Sequence, residues 1–162
     1  MAFDPMLQRQ IMGRFATGVT VVTTRYGDGE VTGMTANAVM SLSLDPPLVV
    51  VSVDKKTTMH GCLQEGQCYA INILARDQEA LSTQFATPGP KDFSDLDLME
   101  GETGAPILTG TLGYLDCKLT EVLSAGDHDM YVGEIVAGNL GEGDPLLFYS
   151  GKYRELAELK DA

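Results

Sequence analysis

Short runs rich in β-branched residues, separated by turn-forming residues and broken by only brief helical patterns, constrain this chain more than any other feature of its sequence. The clearest is Leu48-Val-Val-Val-Ser-Val53, apolar on both alternating faces, as a central strand covered on both sides must be. Asp45-Pro46-Pro47 stops regular structure just before it. Val19 to Thr24 and Val31 to Thr35, joined across Tyr26-Gly-Asp-Gly-Glu30, read as a hairpin. Cys68 to Ile73 is another strand. Two long strands run from Thr111 to Leu123 and from Met130 to Leu140 around the tight connection Ser124-Ala-Gly-Asp-His-Asp129, and Leu146 to Tyr149 is a short last one.

Helical periodicity is confined to small stretches. Phe3, Leu7, Ile11 and Phe15 are spaced four apart behind the N-cap candidate Asp4 and Pro5, with Gly18 beyond the end. Thr57 to Leu63 and Asp77 to Phe85 are short helices, and the stretch after Tyr149 also reads as helical. Ala86 to Pro106, with Pro88, Gly89 and Pro90 among acidic residues, is the longest irregular segment and reads as a surface excursion. Six or seven strands with so little helix do not alternate as a parallel α/β sheet would. The pattern predicts a closed antiparallel barrel, formed by residues 1–162 as a single domain.

Charge narrows the function. Asp and Glu number 23 against 11 Lys and Arg, a net charge of −12, which excludes nucleic acid as a partner. No apolar run approaches the ~20 residues of a membrane span. The start Met1-Ala2-Phe3-Asp4 lacks a signal-peptide pattern, so the expectation is a cytoplasmic protein without a membrane partner. Cys62, Cys68 and Cys117 are odd in number and make no C-x-x-C pair, so they read as reduced structural thiols. There is no P-loop and no G-x-G-x-x-G between a strand and a helix. His60 and His128 are the only imidazoles, too few for a metal cluster, and no nucleophile pairs with either by spacing.

Small polar residues do cluster between the strands: Thr35-Ala36-Asn37, Ser41-Leu42-Ser43, then Ser52 followed by Lys55-Lys56-Thr57-Thr58 at a helix start. Hydroxyls, backbone N–H groups and ammonium groups are what an anionic phosphate needs in place of water. The same residues also suit ordinary turns and caps, and chemistry alone leaves both readings open.

Met12-Gly-Arg-Phe-Ala-Thr-Gly-Val-Thr-Val-Val-Thr-Thr24, Gly33-Met-Thr-Ala-Asn37, Ser41-Leu-Ser-Leu-Asp-Pro-Pro47 and Gly126-Asp-His128 together resemble the short flavin reductases of the flavin-binding split-barrel fold. The tail Asp144-Pro-Leu-Leu-Phe-Tyr-Ser-Gly-Lys-Tyr153 is most similar to the reductase component of phenol-type two-component hydroxylases. The likeness runs in order from about Arg9 to about Tyr153.

The resemblance implies a mainly β, antiparallel Greek-key split barrel with a few short flanking helices, which dimerises with flavin near the subunit interface. It implies hydride transfer from NADH to FAD or FMN, with reduced flavin passed to a partner oxygenase. Met34, Thr35, Ala36 and Asn37 would line the ribityl and phosphate portion of the flavin, and Ser41, Leu42 and Ser43 its ring edge. Ser52, Val53, Lys56, Thr57 and Thr58 would complete the phosphate side, and Phe85 and Ala86 would border the flavin. His128, the one catalytic candidate, would border the nicotinamide with Tyr149, Gly151, Lys152 and Tyr153. No metal is implied. Asp129 departs from the family pattern, which more often has a hydroxyl or apolar residue after the histidine, and the acidic loop from Asp92 to Glu102 matches no motif. The alternative reading is a split-barrel protein that stores or relays electrons without oxidising nicotinamide.

Overall fold

A computed structural model describes residues 3–157. In chain order the elements are α1 (Pro5–Met12), β1 (Thr17–Gly18), β2 (Thr20–Tyr26), β3 (Glu30–Ala36), β4 (Val39–Leu44), β5 (Pro47–Asp54), α2 (Thr58–Gly66), β6 (Cys68–Ile73), α3 (Glu79–Ala86), β7 (Leu98–Glu100), β8 (Pro106–Leu108), β9 (Gly113–Ala125), β10 (His128–Leu140), β11 (Leu147–Tyr149) and β12 (Lys152–Arg154). Seven strands form one sheet in the order β3-β2-β6-β9-β10-β5-β4, each neighbouring pair antiparallel. Its two edge strands, β3 and β4, are separated in the chain only by Asn37 and Ala38. That connection reaches about 11 Å at most, so the sheet must curl until its edges meet. The result is the expected mainly β antiparallel barrel, closed through the chain itself and not by a β3–β4 ladder.

β2 shows why these residues make this fold. Thr20 to Thr24 are buried on both faces. Val22 packs in the barrel interior with Val51, Tyr69 and Tyr131, while Val21 packs outside it with Phe85, Leu108 and Leu146. Each such Val side chain contributes roughly 1.5 kcal/mol or more by burial. The polar groups between them are satisfied: Thr23 Oγ1 donates to the Pro106 carbonyl, Thr24 Oγ1 to the Cys68 carbonyl at 2.6 Å, and Asn72 Nδ2 to the Val21 carbonyl at 2.9 Å. All three cysteines are buried free thiols. Burial pushes the Cys117 thiol up to about 12, which keeps it protonated and inert.

Several boundaries differ from the sequence expectation. Asp4 caps α1 as expected, its Oδ1 accepting from Met6 N–H at 2.9 Å, but the helix ends at Met12 and leaves Phe15 outside it. Ser41 to Ser43 lie within strand β4, not between strands. A register shift between Ser41 and Ser43 and three outward apolar residues, Met40, Leu42 and Leu44, hide the alternation. Ala86 to Pro106 is not wholly irregular, because β7 pairs with β8. The long hairpin turns on Gly126 and Asp127 alone, so His128 opens β10 instead of sitting in a loop. After Tyr149 the chain makes a second two-residue turn, with Ser150 at φ 49° and Gly151 at φ 76°, and returns as β12 where a helix was expected. The rest of that expected helix, past residue 157, lies outside the described residues.

Candidate functional site

The sequence-predicted site residues gather in three places. The first joins β3, α3 and β12. Thr35 Oγ1 donates to the Ser82 carbonyl at 2.6 Å, and Ser82 Oγ lies 2.8 Å from the Tyr153 hydroxyl. Ser82 is fully buried, so both bonds are shielded from water on its side. The ring of Phe85 presses on β3 at Gly33, where a Cβ would stand only 2.9 Å from it, so this contact requires glycine. Phe85 is 1% exposed and supports the strand from behind; Ala86, at the helix end, is open. Ala36 and Val53 are buried whole within their ladders, so this chain does not present them to a ligand, whereas Met34 is half-buried.

The second place is a cavity of about 470 Å³ whose lining includes Phe15, Thr17, Asn37, Val39, Ser41 and Ile135. Asn37 Nδ2 donates to Thr17 Oγ1 at 3.2 Å, which holds the β3–β4 connection against the segment after α1. Leu42 and Ser43 continue β4 beyond the lining.

The third place is the corner between β5 and α2. Ser52 N–H donates to the Ala38 carbonyl at 3.0 Å, so this corner adjoins Asn37. Asp54 Oδ1 accepts from Lys56 N–H at 2.8 Å, and the Asp54 carbonyl accepts from Thr57 Oγ1 at 2.8 Å. With its hydroxyl turned back, Thr57 makes no side-chain cap, and the first N–H groups of α2 lack that partner. Those groups and the exposed Thr58 are donors that could hold a phosphate, and the exposed Lys56, whose charge is felt at Asp127, precedes them in the chain.

His128 belongs to this corner, since it faces Asp54 across the β5–β10 ladder. Tyr149, Gly151, Lys152 and Tyr153 belong to β11, β12 and their turn, which pair instead with β1. The described chain therefore does not bring His128 together with the tail. His128 Nδ1 lies 2.8 Å from Asp127 Oδ1 with the ring 42% exposed, and this bond holds the Asp127 carboxyl below the usual carboxylate range. Asp129 points away, as strand alternation dictates. Its Oδ2 lies 2.7 Å from His60 Nε2 and its Oδ1 3.2 Å from Lys55 Nζ. The His60 bond above all keeps Asp129 below the ordinary carboxylate range. Lys55 Nζ also donates to Ser124 Oγ and the Gly126 carbonyl, both at 2.7 Å, which clamps the hairpin that carries His128.

Sequence reasoning missed the roles of His60, Lys55 and Ser82. The Lys55-Lys56 doublet was visible, but only the fold separates a clamp from a free ammonium. Ser82 left no local signal, because its partner Tyr153 lies 71 residues away.

Comparison with known proteins now decides the family. Residues 12–157 match the model of the flavin reductase like domain. The chain belongs to this family. Among its relatives are an FMN reductase (NADH) of Agrobacterium fabrum, 41% identical over 90% of this chain and 82% of that protein, and an NADH-dependent flavin reductase of Rhodococcus, 43% identical over 94% and 86%. The solved structure of the flavin reductase PheA2 superimposes with a TM-score of 0.88 at 44% identity, covering 96% of this chain and 100% of that one. The Streptomyces globisporus NADH:FAD oxidoreductase SgcE6, solved in complex with NAD and FAD fragments, gives 0.90 at 35% identity, covering 99% of both chains.

Proposed function

We propose that this flavin reductase family member is an NADH:flavin oxidoreductase of the EC 1.5.1 type that reduces FAD or FMN. It hands the reduced flavin to the oxygenase component of a two-component monooxygenase of the phenol or 4-hydroxyphenylacetate hydroxylase type. The observation that carries this reading is the Thr35–Ser82–Tyr153 chain of bonds, which fastens the strand expected to bear flavin and the tail expected to bear nicotinamide to one buried serine. The named activities of the relatives support it.

Bound flavin supplies the hydride acceptor. The protein's part is to hold and aim, and no side chain need act as a nucleophile. The N–H groups at the start of α2, with Lys56 and Thr58, hold the flavin phosphate. Asn37 and Ser41 present polar groups along the cavity. His128, with Nδ1 engaged by Asp127, offers Nε2 and its ring face to the nicotinamide. Oxidation of NADH by the purified protein with FAD or FMN, followed through the nicotinamide absorbance under air and under nitrogen, tests the activity. Flavin binding without any NADH oxidation would favour the storage reading.

The protein acts as a homodimer in this account. Helix α1 buries none of its residues and exposes Leu7 and Ile11, with Phe3 exposed just before it, while β4 exposes Met40, Leu42 and Leu44. Such apolar surface marks an interface, and a second subunit also accounts for site fragments that one chain keeps apart. Sedimentation giving only monomer at micromolar concentration with flavin bound would count against it. A single domain working in the cytoplasm completes the proposal; among the described residues no helix is long and apolar enough to cross a membrane.

A further inference from the structure

A second cavity, of about 480 Å³, lies between α1 and the β11–β12 turn and is lined by Met6, Arg9, Gln10, Gly13, Arg14, Ser150 and Gly151. Met6, Arg9, Gln10 and Gly13 recur at the i, i+3, i+4, i+7 spacing of one helix face. Phe3, Leu7 and Ile11 lie on another, so this cavity is not the apolar stripe proposed for the dimer. Its walls are locked together: Ser150 N–H donates to the Gly13 carbonyl at 2.8 Å, and Arg14 Nη1 donates to the Tyr149 hydroxyl at 3.4 Å.

The charge in this cavity runs against the rest of the molecule. On a chain with 23 acidic and 11 basic residues, Arg25 pairs with Glu100 and Arg76 with Asp144. Neither Arg9 nor Arg14 has a carboxylate within 4.0 Å among the described residues. Asp4, the acidic residue nearest in sequence, is engaged in capping Met6 N–H. Two guanidiniums without a carboxylate partner among the described residues, a glutamine amide and a serine hydroxyl form a set of donors around one cavity. Guanidinium forks match phosphate oxygens bidentately.

We propose that this cavity is a site for the pyrophosphate of the nicotinamide dinucleotide, gripped by Arg9 and Arg14. The inference rests on the functional reading above, in which the Tyr149–Tyr153 tail faces the nicotinamide. The flavin phosphate is provided for at the start of α2, in different elements. The pyrophosphate of FAD contains that same phosphate, so the dinucleotide that fits this cavity is the nicotinamide donor.

Calorimetric titration of the wild type, Arg14→Ala, Arg14→Lys and the Arg9→Ala/Arg14→Ala double variant with FAD, FMN and NAD⁺ tests this. The double variant is expected to bind NAD⁺ about tenfold more weakly at low ionic strength, as loss of charged hydrogen bonds implies, with a smaller loss at high salt. FMN affinity should hold. Arg14→Lys should recover part of the loss, since the charge returns without the fork. Unchanged affinity for NAD⁺, an equal loss for FMN, or a loss confined to FAD overturns the proposal. A wild type that binds flavin but never oxidises NADH would instead sink the functional reading, while the titrations still report on the cavity.

Discussion

Two histidine–aspartate pairs sit on opposite faces of the start of β10, and they differ in every respect except chemistry. His60 and Asp129 approach to 2.7 Å with side chains 19% and 10% exposed, and Lys55 adds a second charge on the carboxylate. The His60 ring also stands edge-on to Tyr131 with centroids 5.7 Å apart, and Tyr131 OH donates to the His60 carbonyl at 2.8 Å. His128 and Asp127 approach to 2.8 Å in the open, with side chains 42% and 82% exposed, and Lys56 acts on the carboxylate only through its charge. A largely buried pair, held by a lysine and an aromatic edge, fixes structure. One with a free imidazole nitrogen and an open ring face can meet a substrate. The comparison gives the buried pair to the fold and leaves the open pair free for the nicotinamide role proposed for His128.

The largest effect that would sharpen this division is on catalysis. His128→Ala should lower kcat/KM for NADH by about 10-fold to 100-fold, or about 1.4 to 2.7 kcal/mol of lost positioning. Flavin affinity and thermal stability should remain near wild type, because exposed substitutions seldom disturb a fold. Steady-state kinetics beside a thermal melt read both quantities.

Asp129→Asn should do the reverse, lowering Tm by several degrees while leaving kcat for NADH close to wild type at temperatures where the variant is folded. Its carboxyl is held below the ordinary range in the folded protein, so the stability it supplies is fully present above about pH 4, near its unfolded value. That contribution is lost as pH falls through the lowered folded value. The Tm gap between wild type and variant should shrink in acid. A gap that widens as pH falls would break the assignment.

Tyr153→Phe tests the link between tail and flavin strand. Removing the hydroxyl leaves Ser82 Oγ, buried, without its partner, a cost of about 1 to 3 kcal/mol visible in denaturant titration. The disturbance should appear in KM for NADH more than in flavin affinity. The smallest effect is expected from Lys56→Ala, a loss of flavin affinity of a few-fold at low salt that fades at high salt, as for any exposed charge contact. Affinity that does not respond to salt would move the phosphate elsewhere.

Much of this architecture is legible in the sequence, for reasons that differ between elements. β2, β5 and β6 are continuous apolar or β-branched runs because both of their faces are covered, and Asp4 with Pro5 marks the start of α1 chemically. β4 is hidden because its outward residues are apolar and its ladder is bulged around Leu42. β12 is hidden because three residues carry no periodicity. At the site, residue types alone suggest where anions can bind, as at Lys56 to Thr58, and family resemblance singles out His128. The direction of Asp129 is invisible until the hairpin turn is placed at Gly126 and Asp127, since strand alternation then decides which neighbour it faces. Contacts such as Ser82 with Tyr153 exist only after the chain has closed on itself.

Anaerobic single-turnover reduction of flavin by NADH, compared among wild type, Asp127→Asn, His128→Ala and the double variant, tests the division most directly. If the open pair works as one unit, Asp127→Asn slows flavin bleaching, and the double variant is no slower than His128→Ala alone, because Asp127 acts through the ring it orients. Wild-type bleaching rates in all three variants would contradict the account and leave His128 as a strand-end residue without a part in the reaction.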